Sequence, residues 1–214
     1  MTQPAFPMRG VLAPLAVVLV LGIGSLAAAE VTVSAGESLL LQVGERALEL
    51  RIGPERISGS GISLSHTDEG LSGLLHGQPV KLAWNRQGDI SGRVAGRSVT
   101  LSVMRLNPPG LTVRGWFGGD TAELALTPMA ISGSVEDCGY SLALAGEQYS
   151  GWRTCGPTPG PPVPVTLRIP ENLMSLGDTR EGALLTLLLS DEALPPASPP
   201  EEMPGVGGAG APSP

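Results

Sequence analysis

The sequence predicts a mainly β protein, an antiparallel β-hairpin meander that curls into a barrel or a folded-over sheet, with one C-terminal α-helix. Three observations predict this class. A pattern of alternating apolar and polar residues occurs four times between residues 71 and 144. Two cysteines fall where that pattern would bring them face to face. A leucine-rich segment with a helix-start signal follows the last predicted strand.

The four copies of the pattern have the internal symmetry of a hairpin. Apolar residues or glycine recur at every second position in each half of a copy, which indicates strands because successive side chains point to opposite faces. The third residue is glycine and the twelfth is leucine in every copy. The phase of the alternation reverses at the middle, so both strands can present their apolar side chains to the same face. The copies span residues 71–84, 90–103, 113–126 and 131–144.

This spacing also predicts a register for each hairpin. In the first copy, Leu75 would pair with Val80 and Gly73 with Leu82, and the turn would centre on Gly77 and Gln78. Glycine in the first central position suits a type II′ turn. The intervening positions carry polar side chains, so one face of the sheet is expected to be exposed to solvent.

The same register predicts a level row of alternating glycine and leucine across five strands. Glycine inside a strand costs stability unless it allows a bend or a close approach, so we interpret the row as a device that curves the sheet. The row comprises Gly115, Leu124, Gly133, Leu142 and Gly151.

Further elements are predicted on either side of the four copies. A fifth, degenerate hairpin spans residues 39–52, residues 57–64 supply one or two short strands, and residues 163–169 alternate once more. Asp178 and Glu181 then stand three positions apart, as in a capping box, and predict a helix over about residues 179–191. Burying each of its leucines would recover roughly 1.5–3 kcal/mol.

Three large apolar residues interrupt the otherwise polar face of the predicted strands. They are Leu74, Trp116 and Trp152. Our first hypothesis is that these residues receive the C-terminal helix. The alternative is that they form an exposed interaction patch.

The two ends of the chain are predicted to lie outside a single β-rich domain of residues 30–194. Residues 1–29 have the features of a secretory signal peptide, with Arg9, an apolar run from Val11 to Leu26, and cleavage at about Ala29/Glu30. An uncleaved membrane anchor is the alternative, because the segment is just long enough to span a bilayer. Residues 195–214 are rich in proline and glycine without apolar periodicity, which predicts a disordered tail.

The cysteines provide a separate test of the strand register. If residues 145–148 form a turn, Leu144 faces Tyr149 and Cys138 faces Cys155. Directly opposed residues lie within the Cα separation that a disulfide accepts, and an exported protein meets an oxidising compartment. A metal site is disfavoured, since neither histidine is near the two cysteines in sequence.

Charge and composition exclude several classes of function. The net charge is −7 at pH 7 and becomes one unit more negative if residues 1–29, which contain only Arg9, are removed. This balance disfavours binding to nucleic acid or to anionic lipid. The strands are too short and too polar on one face for a transmembrane barrel, so no stable membrane insertion is expected after signal cleavage. The scarcity of lysine relative to arginine points to a bacterial source, and export would place the protein in the periplasm or outside the cell.

No stretch of the sequence carries a specific catalytic or cofactor-binding signature. His66 lies near Asp68 and Glu69, but one histidine among acidic residues is equally typical of a solvated loop. We therefore expect an exported, non-enzymatic domain without cofactor or metal, which binds an unknown protein or envelope component or has a structural role there. The alternative is an inhibitor of a secreted hydrolase such as lysozyme, with a protruding loop at residues 104–112 or 156–162. An enzyme is a third and less favoured class.

Overall fold

A closed antiparallel barrel of 14 strands forms the body of the protein, and its last strand pairs with its first. The computed structural model describes residues 37–107, 109–158, 160–174 and 176–196. The predicted signal segment and the predicted tail beyond residue 196 lie outside these ranges. The elements are β1 (Glu37–Val43), β2 (Arg46–Ile52), β3 (Arg56–Gly59), β4 (Ile62–His66), β5 (Gly70–Leu75), β6 (Gln78–Trp84), β7 (Asp89–Val94), β8 (Arg97–Arg105), β9 (Leu111–Phe117), β10 (Asp120–Leu126), β11 (Ala130–Val135), β12 (Cys138–Ala145), β13 (Gln148–Cys155), β14 (Val163–Arg168), α1 (Glu171–Met174), α2 (Asp178–Leu189) and a 3-10 turn (Asp191–Ala193).

The predicted fold class is confirmed, and pairing of β14 with β1 selects the barrel over the folded-over sheet. The degenerate hairpin is β1 with β2, and the short segment after it supplies β3 and β4. Inward side chains of the strands are apolar and buried, while outward ones are largely serine, threonine and charged residues. The alternation in the sequence therefore corresponds to the inside and outside of one closed wall.

The turns within the four repeated hairpins are tighter than predicted. In the first copy Gly73 pairs with Val80 and Leu75 with Gln78, so the turn centres on His76 and Gly77. The predicted pairing was wrong by two residues, and the same shift occurs in the other three copies. Both central residues have positive φ, 49° at His76 and 80° at Gly77, as in a type I′ turn. A shift of two keeps every side chain on its face, so the alternation could not reveal it.

The glycines and leucines of the predicted row are not all directly opposite one another on neighbouring strands. Between hairpins the predicted pairs are present, with Leu124 opposite Gly133 and Leu142 opposite Gly151. Within a hairpin the glycine faces a different residue, as Gly133 faces Tyr140. The predicted level row was wrong because it ignored the stagger that tilts strands in a closed barrel.

Neighbouring strands approach closely at the glycines of this row. A Cβ at Gly133 would lie 1.9 Å from the carbonyl oxygen of Glu123, and its φ of 125° is one that other residues rarely adopt. Gly92 is placed in the same way, with the Lys81 carbonyl oxygen 2.0 Å from a Cβ position. Gly139, one strand away from Gly133, has only ordinary contacts, the nearest at 3.6 Å.

Replacing Gly133 by alanine should therefore destabilise the barrel, whereas Gly139→Ala should not. Backbone strain and the steric overlap together should cost Gly133→Ala about 2–5 kcal/mol in the free energy of unfolding. Gly139→Ala should change it by less than about 1 kcal/mol. Denaturant unfolding of both variants measures the difference, and equal stabilities would contradict the close approach at Gly133.

Helix α2 fills the interior of the barrel. Eight strands enclose a space that their own side chains fill, whereas 14 strands enclose a wider one. Every residue from Gly182 to Leu189 is buried, and a helix that is apolar on all sides is typical of a fully enclosed position. The helix begins at the end that carries the connections between hairpins, here named the entry end. It terminates at the end that carries the tight hairpin turns, here named the exit end.

The hypothesis that Leu74, Trp116 and Trp152 receive the helix was wrong. These side chains are 50%, 57% and 56% exposed on the outer wall. Inside the wall, a Cβ added at Gly182 would lie 3.0 Å and 3.1 Å from γ-carbons of Val103 and Val113. The helix is apolar around its whole circumference, so a single outer face could not have covered it.

The start of α2 also differs from the predicted capping box. Gly177 is the N-cap residue, and no side chain caps the helix. The Asp178 carboxylate instead accepts two hydrogen bonds from Arg105, at 2.7 and 2.9 Å. This pair joins the first turn of the helix to the entry end of β8.

Truncating a helix leucine should be far more damaging than truncating a leucine of the outer wall. Leu187→Ala would leave a cavity in the sealed interior and should cost about 2–5 kcal/mol in unfolding free energy. Leu74→Ala removes a half-exposed side chain and should cost less than about 1 kcal/mol. Comparable losses in the two variants, measured by chemical denaturation, would contradict the internal position of α2.

Candidate functional site

The Cys138–Cys155 disulfide is present at the exit end, as predicted. The full predicted register of β12 and β13 is confirmed, with Leu144 opposite Tyr149 and Cys138 opposite Cys155. The disulfide ties two neighbouring strands beside the point where α2 terminates.

A buried arginine lies next to the disulfide and holds the end of α2. Arg153 is 3% exposed, and its Nη2 donates a hydrogen bond to the Asp191 carboxylate at 2.6 Å. Its guanidinium carbon lies 5.6 Å from the centre of the Tyr140 ring, a cation–π distance. The Tyr140 hydroxyl in turn donates to the carbonyl oxygen of Leu189. The tyrosine satisfies a carbonyl group at the helix terminus, and the exposed Asp191 carboxylate balances the buried charge of Arg153.

A second group of charges surrounds the 3-10 turn. Arg97 forms ion pairs with Glu192 and with Glu136, the latter at 2.5 Å. Burial raises the pKa of Glu136, and the negative charge of Glu192 raises it further. The carboxylate of Glu136 also accepts a hydrogen bond from the Asp191 backbone N–H at 3.3 Å. Arg97 therefore bridges two close carboxylates and attaches the C-terminal segment to the barrel.

One group at the exit end has the side-chain types of a metal site. Ligand-type atoms of Asp137, Cys138 and Asp191 lie within 4.8 Å of one another. The sulfur of Cys138 is bonded to Cys155, so it cannot act as a thiolate ligand. The two remaining aspartates are exposed, and Asp191 is already paired with Arg153. This group therefore supports a structural role rather than metal binding.

His66 is buried in the wall and is not combined with its acidic neighbours. Its Nε2 lies 2.9 Å from the carbonyl oxygen of Gly53, which can only accept, so Nε2 carries the proton. Asp68 forms an ion pair with Arg180. In the part of the chain that the structure describes, no hydrogen bond joins His66 to Asp68 or Glu69. The arrangement offers no pairing of a histidine base with a carboxylate.

The three residues of the predicted interaction patch are exposed but distant from one another. Leu74, Trp116 and Trp152 lie on β5, β9 and β13, so three strands separate each from the next. Four strand spacings amount to about 19 Å along the wall. Each residue therefore belongs to a different part of the outer surface.

The surroundings of the two exposed tryptophans differ in charge. Trp116 lies beside an ion pair on the outer wall, Arg114 with Glu123 at 2.8 Å. Trp152 lies among small, neutral residues, with Ser141 opposite on one side and Pro164 on the other.

The neutral surface around Trp152 covers four strands, and we name it the uncharged wall. Its outward positions on β11 to β14 carry small or uncharged side chains, except for Arg168 at the entry-end rim, which is paired with Glu147. Glu123 on β10, opposite Ser134, bounds it on one side. Three strand spacings make it about 15 Å wide. The uncharged wall consists of Ala130, Ser132, Ser134, Gly139, Ser141, Ala143, Ser150, Trp152, Thr154, Pro164 and Thr166.

Exposed apolar residues adjoin the uncharged wall at both ends. Met129 is 68% exposed and Leu144 is exposed beside it, where the Leu144 N–H donates to the Met129 carbonyl oxygen at 2.8 Å. Val163 is exposed at the exit end. Sequence reasoning missed this surface, although the sequence shows that Arg168 is the one charged residue at the polar-face positions of these strands.

Comparison with known proteins gives no further assignment, since no protein-family model, no curated protein and no solved structure matches this chain. Among the described residues, no helix is both long enough and apolar enough to cross a membrane.

Removing the disulfide should destabilise the protein without changing its fold. The bond joins residues 17 positions apart, and the chain-entropy model gives about 3 kcal/mol for a loop of this length. A Cys138→Ala/Cys155→Ala variant should lose about this amount in chemical denaturation. Added reductant should lower the stability of the wild type to a similar level and leave the variant unchanged. A wild type that is insensitive to full reduction would contradict a stabilising role for the bond.

Proposed function

We propose that this protein is an exported, non-enzymatic binding or structural module of the bacterial cell envelope. In this proposal, it binds a protein partner through the uncharged wall, with Trp152 as the central contact. The observation that carries the proposal is the combination of an exposed tryptophan with a neutral surface of small side chains, on a barrel whose interior is already occupied.

The closed architecture limits the ways in which a partner could bind. Each strand in the described range has two strand partners, so a partner strand cannot extend the sheet by edge pairing. Helix α2 occupies the interior, so the barrel does not offer the open lumen in which smaller barrels hold ligands. The outer wall and the loops at the two ends remain available for recognition.

The composition of the uncharged wall supports protein binding rather than catalysis or nucleic-acid binding. The buried centre of a protein interface is depleted in charge and enriched in aromatic residues. Tryptophan is also the residue type most often found to dominate binding energy, surrounded by weaker contacts that exclude water. Serine, threonine and alanine around Trp152 provide a low surface from which its ring projects, and desolvating them costs less than desolvating charges.

The loop between β13 and β14 supports a second candidate, an inhibitor of a secreted hydrolase. Residues 156–162 connect these strands at the exit end. Exposed residues are expected in a protruding loop, and those of this connection include Pro157, Thr158, Gly160, Pro161 and Pro162. The other loop proposed for an inhibitor, residues 104–112, is less suitable. Met104 and Thr112 lie in β8 and β9, and only residues 106–110 connect these two strands. An inhibitory role would depend on residues 156–162.

A matched pair of tryptophan variants tests the main proposal. Mature wild-type protein should recover one stoichiometric protein partner from the envelope or culture fluid of its source. Trp152→Ser should weaken this complex by at least about 2 kcal/mol, roughly 30-fold in Kd, as expected for a central contact. Trp116→Ser, with equal exposure but charged surroundings, should bind like the wild type. Calorimetry with the purified partner measures both affinities.

Other outcomes would separate the candidates. Equal losses in the two variants, or no loss in Trp152→Ser, would contradict binding through the uncharged wall. Recovery of a hydrolase whose binding depends on residues 156–162 instead would establish the inhibitor.

A further inference from the structure

A cavity of about 240 Å³ opens at the entry end of the barrel, beside the first turns of α2. Its walls are mostly apolar, with Leu111, Leu126, Ile131 and Leu185 among the lining residues. Residues from strands, connections and helix all contribute, so the cavity is formed where the helix meets the barrel rim. It is separate from the uncharged wall, and its use does not depend on the proposed function.

Glu181 is the polar group of this cavity that has no partner. It lies one turn into α2 and is half-buried, and its carboxylate has no hydrogen bond or ion pair within the described ranges. Burial raises the pKa of Glu181 to about 7, and the nearby charge of Asp178 adds to the effect. A carboxylate kept from water without a counter-charge favours a cationic partner.

The other polar groups of the cavity already have partners. From β8, Arg105 donates both of its hydrogen bonds to Asp178, so it does not compensate Glu181. From β13, the Tyr149 hydroxyl donates to the carbonyl oxygen of Thr127 at 3.0 Å. Glu181 therefore faces an ion pair with no net charge and a neutral tyrosine, and its own negative charge is left uncompensated.

We propose that this cavity binds a small organic amine, with the ammonium group on the Glu181 carboxylate and the apolar body among the leucine and isoleucine side chains. The apolar walls disfavour a hydrated metal ion, and the carboxylates of Asp178 and Glu181 disfavour an anion. The volume limits the size of the ligand. An apolar cavity of about 150 Å³ accommodates benzene, and drug-sized ligands occupy about 300 Å³ or more. A ligand with one ring or a short alkyl chain fits between these limits.

Calorimetric titration of the full chain with benzylamine tests the proposal. Wild type should bind benzylamine about ten- to a hundredfold more tightly than benzyl alcohol, its neutral counterpart of similar shape, because only the amine carries a positive charge, so that its hydrogen bond to the carboxylate is also an ion pair. Glu181→Gln should lose this preference. Glu123→Gln removes the same charge from the exposed outer wall and should retain it. Thermal unfolding checks that both variants are folded.

The pH dependence gives a second, independent readout. A protonated Glu181 cannot pair with an ammonium group, so the affinity of the wild type should rise between about pH 5.5 and 8 as this carboxyl loses its proton. The affinity of Glu181→Gln should stay constant over the same range. Absence of benzylamine binding, equal binding of benzyl alcohol, or an unchanged preference in Glu181→Gln would overturn the proposal. None of these outcomes bears on the Trp152 complex.

Discussion

The structure depends on filling the interior of a closed 14-stranded sheet. Inward side chains alone fill a barrel of about eight strands, and a wider one must enclose water, a ligand or another part of the chain. Here the chain supplies its own C-terminal helix, apolar on every side and buried from Gly182 to Leu189. Helix and barrel need each other, since neither apolar surface could remain in water without the other.

Polar contacts position this helix at its two ends. Arg105 holds Asp178 at the entry end, while Arg97 and Arg153 hold the segment after Leu189 at the exit end. These ion pairs contribute little net stability, because solvent screens the exposed Arg105 pair and desolvation offsets much of the attraction in the buried Arg153 pair. The ion pairs nevertheless make other positions of α2 unfavourable in free energy, because displacing the helix along the barrel axis would leave charges unpaired. Leucine packing provides the stability, and the charges determine the axial position.

This construction restricts function to the outside of the barrel and to its rims. The sheet has no open edge in the described range, and the lumen is occupied. Two places remain chemically distinctive, the uncharged wall around Trp152 and the entry-end cavity with Glu181. The first has the composition of a protein interface, and the second has an uncompensated carboxylate in apolar surroundings. They lie on different parts of the molecule and can be tested separately.

The sequence by itself determined the fold class and the inward and outward faces, because alternation at every second residue survives any even shift of register. It also predicted the disulfide, because a turn between Leu144 and Tyr149 places Cys138 opposite Cys155. It could not determine the hairpin register, which depends on whether His76 can adopt positive φ in a tight turn. The location of the helix, the uncharged wall as a continuous surface and the cavity at Glu181 were decided only by tertiary structure. Each depends on how strands distant in sequence close into a ring, and local patterns carry no information about closure.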